Sequence, residues 1–342
     1  MTVGDRALRT MLGLSTAILV VTALFFARSI LAPVVFALFV IAIVWPIHQW
    51  LSTRVPYVVA LVATVLVTSA AVGALALMMA WGFGHVGQWL IGSASRLQVM
   101  YAKLTAWLEG HDIFVTAFLT ENFNVGWVIG TVQYAAAQLH GLLSFAIIAA
   151  TFVILGLLEV EVLQQSIQTS MGPVTGASVL QTGARIAGKL QRYMLVRTLM
   201  SAMTGLVIFL FALAAGLELA AAWGVIAFAL NYIPFIGPLV ATIFPTVFAL
   251  AQSESWQLPL VVFLTLNAIQ FLLGSYLEPR MAGSALSVSP FMVLFAVFFG
   301  TFLWGIPGAF LGVPALIVLV TICEEDSSTR WVATLLSGRE AD

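Results

Sequence analysis

Two apolar blocks in this chain, Ala220–Leu250 and Phe291–Ile322, carry prolines and glycines at their centres. Each runs to roughly 31 residues, more than the ~20 that cross a bilayer once, while half of either block is too short to cross comfortably. Proline withdraws a backbone donor and its ring clashes with the preceding turn, so helix breaks are expected around Pro234, Pro238 and Pro307. At membrane depth a broken backbone survives only where protein or a water-filled cavity satisfies the freed groups. Two half-helices folded back on themselves meet both the length and the breakers. The blocks are therefore expected to form re-entrant helical hairpins over 220–250 and 291–322.

The remaining sequence sets the same solvent. Of 342 residues 62% are hydrophobic and only 8% charged, against about 25% charged in a soluble domain. Further apolar runs at Met11–Ala27, Ile30–Ile47, Tyr57–Trp81, Leu142–Leu158, Ser201–Leu217 and Leu258–Leu277 read as spanning helices. The first has no small-residue cleavage pattern after it and is expected to be a retained span. The fold class is thus all-α, a polytopic helical membrane protein with surface amphipathic helices and two interrupted hairpins.

Several function classes fall away. A net charge of −1 offers no basic footprint for nucleic acid. One cysteine, Cys323, excludes an intrachain disulfide and a cysteine metal cluster, and the four scattered histidines read as solvated or interfacial. No metal or cofactor is expected. Asp5, Asp112, Asp326 and Asp342 lie outside the predicted spans, and no HExxH or GxSxG occurs, so the chain is not expected to be an enzyme.

The expected organisation is a set of three spans over 1–81, an interfacial amphipathic region over 82–140, a fourth span with cytoplasmic amphipathic helices over 141–200, a transport core over 201–325 and a cytoplasmic tail over 326–342. In the second region Leu90, Leu97, Tyr101, Leu104 and Leu108 recur at helical spacing. Arg185, Lys189 and Arg192 form a basic helix face that can meet anionic headgroups or water. With both termini cytoplasmic and each hairpin entering and leaving on one side, ten of the thirteen cations lie inside and only Arg28, Arg96 and Lys103 outside, as the positive-inside rule requires. Full crossing by both blocks satisfies that rule nearly as well, so length and breakers carry the hairpin reading.

NYIPFIGP (231–238), LEPRMAGSALSVSP (277–290) and GIPGAFLGVPALIV (305–318), preceded by YMLVRTLMSAMTG (193–205), resemble the autoinducer-2 exporter family of bacterial inner-membrane proteins. The likeness is strongest over Lys189–Glu324, with an echo in LGLLE at Glu159; nothing in 82–140 matches. The resemblance implies a secondary transporter of the inner membrane, assembled as a homo-oligomer, that exports autoinducer-2 or a similar small polar solute. Sodium(lithium)/proton antiport is the alternative within the family, and an ion channel or a membrane scaffold the alternative outside it.

Candidate site residues follow from the breaks and from one polar stripe. Asn231 precedes a break where Ile233, Pro234, Gly237 and Pro238 are expected to bare carbonyls to a polyhydroxylated solute or a small cation. Gly305, Pro307 and Gly308 form the counterpart break. Asn267, Gln270, Gly274 and Glu278, spaced 3, 4 and 4 apart, share one face of an α-helix. That stripe either lines the substrate route or binds helix to helix. Glu278 is a candidate proton carrier or a gating partner for Arg280. Glu159, at the end of the fourth span, is a second coupling candidate beside the plainer reading of a solvated carboxylate.

Overall fold

The computed structural model describes residues 3–93, seven positions between 95 and 110, then 125–253, 255–282 and 288–338. Its elements are α1 (Val3–Phe26), α2 (Arg28–Ser52), α3 (Tyr57–Gly92), α4 (Val125–Met171), α5 (Pro173–Ala214), α6 (Ala220–Leu230), α7 (Ile236–Gln252) and α8 (Gln257–Gln270). A π-helical segment (Phe271–Leu277) leads into α9 (Glu278–Ala282), followed by α10 (Pro290–Glu325) and α11 (Arg330–Ser337). The described residues contain no strand, and six helices are long and apolar enough to cross a membrane. This is a polytopic helical membrane protein.

α4 and α5 run far past a bilayer. Their 47 and 42 residues correspond to about 70 and 63 Å at 1.5 Å per residue. The stretch 159–198, expected to form cytoplasmic amphipathic helices, is helical and continuous within α4 and α5 with the apolar segments on either side. No proline or left-handed glycine interrupts it except at the corner itself. There Gly172 takes φ +77 and Pro173 opens α5, the usual glycine stop and proline start. α3 likewise carries on through Gly92, and most of the amphipathic stripe Leu90–Leu108 lies outside the described residues.

The chain divides into two compact units. The first takes Met1–Leu66, Ala146–Arg192 and Ser284–Asp342. Here α10 is two arms meeting at Gly305, whose φ +65 and ψ −140 only glycine adopts readily. A Cβ on Gly308 would collide with the Gly300 carbonyl, and one on Gly312 with the Ala296 carbonyl. Those pairings run antiparallel about Gly305, so the block is a helical hairpin closed backbone to backbone. Its tip is tied to α1: Trp304 Nε1 donates to the Leu24 carbonyl at 3.1 Å, and Phe302 stacks on Phe25. At the far end Lys189 pairs with Glu324 at 2.7 Å and Arg185 with Glu325. Two of the three cations on that basic face thus meet carboxylates of their own chain.

One histidine departs from its expected surroundings in this unit. His48 is buried, its ring lying between Trp45 and Tyr57. The Thr64 hydroxyl donates to the Ala60 carbonyl, which leaves its oxygen to accept from His48 Nδ1 at 3.3 Å. An aromatic slot and a hydroxyl partner make an interior imidazole tolerable.

The second unit takes Val67–Phe145 and Tyr193–Gly283. α6 and α7 fold against each other, with Trp223 and Phe248 in edge contact at 5.1 Å, around a core that includes Ile208, Ile226, Val262 and Leu266. The first interrupted block is therefore also a helical hairpin. At its open end Gln252 bridges the arms, donating to the Gly216 carbonyl and accepting from the Glu218 N–H.

Candidate functional site

Tyr193, Arg197, Ser201 and Thr204 are spaced 4, 4 and 3 apart, which puts them on one face of α5. All four are almost wholly buried, Arg197 at 6% exposure and Ser201 at 0%. A cation is held in such a place only when it is paired. Arg197 Nη1 donates to Glu278 Oε1 at 2.6 Å, and the guanidinium also bonds the Tyr193 phenol. The pair is shielded, with side-chain exposures of 8% and 18%.

One turn along α5 the same face receives the tip of the first hairpin. Asn231 Nδ2 donates to Ser201 Oγ at 3.3 Å, and the Tyr232 hydroxyl donates to Thr198 Oγ1 at 3.1 Å. Arg197 and Ser201 are separated by about 6 Å along the helix axis. Thus α5 joins two regions distant in sequence, the hairpin break and the LEPR segment, on consecutive turns.

The break itself is stitched by turns. Carbonyls of Leu230, Ile233, Pro234 and Phe235 accept backbone N–H groups from Ile233, Gly237, Ile236 and Leu239. A Cβ on Gly237 would collide with the Leu230 carbonyl, so only glycine lets the chain turn this closely. Phe235, with φ +64, and Leu219, with φ +61, are left-handed without being glycine, one at each end of the hairpin. Such strain persists only where the surroundings over-determine it. Pro234 is buried, Ile233 and Pro238 half-buried.

The polar stripe is reshaped by the π-helical segment. Its i→i+5 bonding widens the turns between Gln270 and Glu278, so the α-helical spacing of the four positions no longer fixes a common face. Asn267 is exposed and donates to the Phe263 carbonyl of its own helix. Gly274 is exposed, with nothing within 4 Å of a Cβ placed there. Gln270 Nε2 is buried without an acceptor, as are Arg197 Nε and Trp223 Nε1 among the described residues of this unit. Glu278 turns to Arg197, and Arg280 instead lies over the Tyr276 ring at 3.8 Å. The other candidates belong to the first unit: Glu159 exposed on α4, Gly305 exposed at the hairpin tip, Pro307 half-buried and Gly308 buried against Gly300.

The arrangement can do two things chemically. A carboxylate and a guanidinium can exchange each other for a proton, a cation or a polar solute. Buried donors without acceptors can donate hydrogen bonds to a ligand rich in oxygen. The neighbouring cleft of roughly 340 Å³, lined by residues including Met78, Gly205, Phe209, Gly224 and Phe228, has mostly apolar walls and no polar side chain to orient a polar solute.

Sequence reading missed Tyr193, Arg197, Thr198 and Ser201 as site residues. For Tyr193, Arg197 and Ser201 the signal was present in their i, i+4, i+8 spacing within YMLVRTLMSAMTG. It was masked because Arg197 follows closely on the cationic face of Arg185, Lys189 and Arg192.

The family described as AI-2E family transporter matches residues 14–326. Among curated proteins, the AI-2 transport protein TqsA of Escherichia coli K12 is 28% identical over 96% of this chain and 96% of its own length. A Haemophilus influenzae protein described as a candidate transport protein is 25% identical over 97% of each chain. A Borreliella burgdorferi protein of the same description is 27% identical over 64% of this chain and 60% of its own length.

Proposed function

The chain belongs to the AI-2E transporter family, and from that premise we propose that it is a secondary transporter exporting autoinducer-2 or a similar small polar solute by alternating access. Its place is the bacterial inner membrane, with both termini cytoplasmic, and it works as a homo-oligomer. The observation that carries this reading is the buried Arg197–Glu278 pair, one α5 turn from the Asn231–Ser201 contact of the hairpin tip. A proton or solute that takes Glu278 from Arg197 loosens α9 from α5. The hairpin tip, bonded to the next turn, is the element that then moves. Spare donors on Arg197, Trp223 and Gln270 suit a neutral solute that offers hydroxyl and carbonyl oxygens. Ile233, Pro234, Gly237 and Pro238 shape the tip that meets it, and Gly305, Pro307 and Gly308 shape the corresponding tip of the second hairpin.

Glu278 also supports a second reading, sodium(lithium)/proton antiport, because a carboxylate freed from its guanidinium can hold either a proton or a small cation. Flux into liposomes holding the pure protein separates the readings. Saturable, competable autoinducer-2 transport is the expected result. Flux of sodium or lithium alone, driven by a pH gradient, establishes antiport instead. Ohmic conductance indicates a channel, and no flux of any kind a scaffold.

A further inference from the structure

α11 is a short helix with two unlike faces. Ala333 and Leu336 are buried among Leu316, Val320 and Cys323 of the second arm of α10 and beside Met292, Val293 and Ala296 of the first. Trp331 and Leu335, one turn apart, are each 67% exposed. At 3.6 residues per turn these two lie about 150° from the docked pair. The helix is held in place at both ends. Ser289 N–H donates to the Leu336 carbonyl at 3.0 Å, and the Thr329 hydroxyl donates to the Cys323 carbonyl at 3.2 Å.

Depth decides what covers the outward pair. The second arm leaves the apolar region at Glu324, Glu325 and Asp326, three acids in succession. The Ser328 backbone N–H and hydroxyl hold the Asp326 carboxyl below the usual carboxylate range, so this corner stays charged and wet. Yet α11 packs back along Leu316–Cys323, residues that lie within the apolar block and span about 10 Å of helix above the acids. Its outward side therefore stands at the boundary between headgroups and acyl chains. Trp is enriched at that boundary, and amphipathic helices bury Trp and Leu there. Arg185 and Lys189, the cations otherwise suited to headgroups at this end, are paired with Glu325 and Glu324.

We propose that the Trp331–Leu335 face of α11 is a lipid-docking surface that seats in the headgroup–acyl boundary and anchors the open end of the second hairpin to the bilayer. The test uses the full chain with Cys323→Ala, reconstituted in phosphatidylcholine vesicles, with a nitroxide on Trp331→Cys, Leu335→Cys or Ser328→Cys. Collisions with oxygen, which enters lipid, are compared with those of a water-soluble nickel chelate. Oxygen should exceed the chelate several-fold at 331 and 335, and the order should reverse at 328. Chelate-dominated collisions at 331 and 335 overturn the proposal. So does exclusion of both reagents, which means that protein, such as a second copy, covers the face. Without any cysteine change, quenching of native tryptophan fluorescence by lipids brominated near the headgroup should fall on Trp331→Phe. Unchanged quenching also overturns it.

Discussion

Arg197 Nη1 lies 2.6 Å from Glu278 Oε1, joining residues 81 positions apart inside the second unit. Removing one charge of a shielded pair strands the other, a loss of about 3–5 kcal/mol. Glu278→Gln should therefore unfold at markedly lower denaturant in detergent. The double variant Arg197→Met, Glu278→Leu should recover most of that stability while transport stays lost. Recovery of transport along with stability would mean that the pair serves packing alone.

The same carboxylate is expected to set the pH response. In protein that inserts and elutes as a single species, Glu278→Gln keeps the shape and cannot ionise. Solute flux measured across an imposed pH series should lose most of its pH dependence. A profile that parallels the native one assigns coupling to another group, Glu159 being the next to substitute.

The glycines should separate into two classes. Gly237→Ala drives a methyl into the Leu230 carbonyl, and Gly308→Ala into that of Gly300. Each should cost about 1–3 kcal/mol through forced backbone shifts, read as a fall in melting temperature of the purified protein. Gly274→Ala meets nothing within 4 Å and should leave melting unchanged.

Asn267 and Gln270 report on the substrate route. If each gives one hydrogen bond to solute, replacing either by Ala raises half-saturation about fivefold, the effect of ~1 kcal/mol. Melting should hardly respond for Asn267→Ala, because its amide is exposed and bonded only to its own helix. Untouched half-saturation in both variants would restrict the route to the α5 face and the hairpin tip.

Orientation is open to labelling. A cysteine at Gly110 should react with an impermeant reagent added from the periplasm, and one at Met171 only after the cytoplasmic side is opened. Reaction of both from the same side would overturn the charge-based topology.

The hairpins were legible because their breakers are chemically explicit: proline cannot donate, and Gly305 occupies a backbone state closed to other residues. Continuity of α4 and α5 was hidden, since a change from amphipathic to apolar pattern at Thr198–Ser201 resembles a boundary although nothing there stops a helix. The Glu278 partner was hidden for another reason. Sequence proximity favours Arg280, but Pro279 separates the two, and Arg280 finds the Tyr276 ring instead. His48 reads as an interfacial residue until the aromatic slot formed by Trp45 and Tyr57 is seen.

Gly300, Gly308 and Gly312 leave no side chain between the arms of the second hairpin where they touch. A contact made of backbone alone has no rotamers through which to yield. Around its tip the second hairpin is therefore braced backbone to backbone, whereas toward Glu324 and Glu325 its arms meet through the side chains of Leu316, Val320, Met292 and Val293. The first hairpin carries Trp223 against Phe248 between its arms, and rings can slide and re-seat. Of the two tips, that of the second hairpin leaves its arms the least room to part or slide without breaking backbone contact.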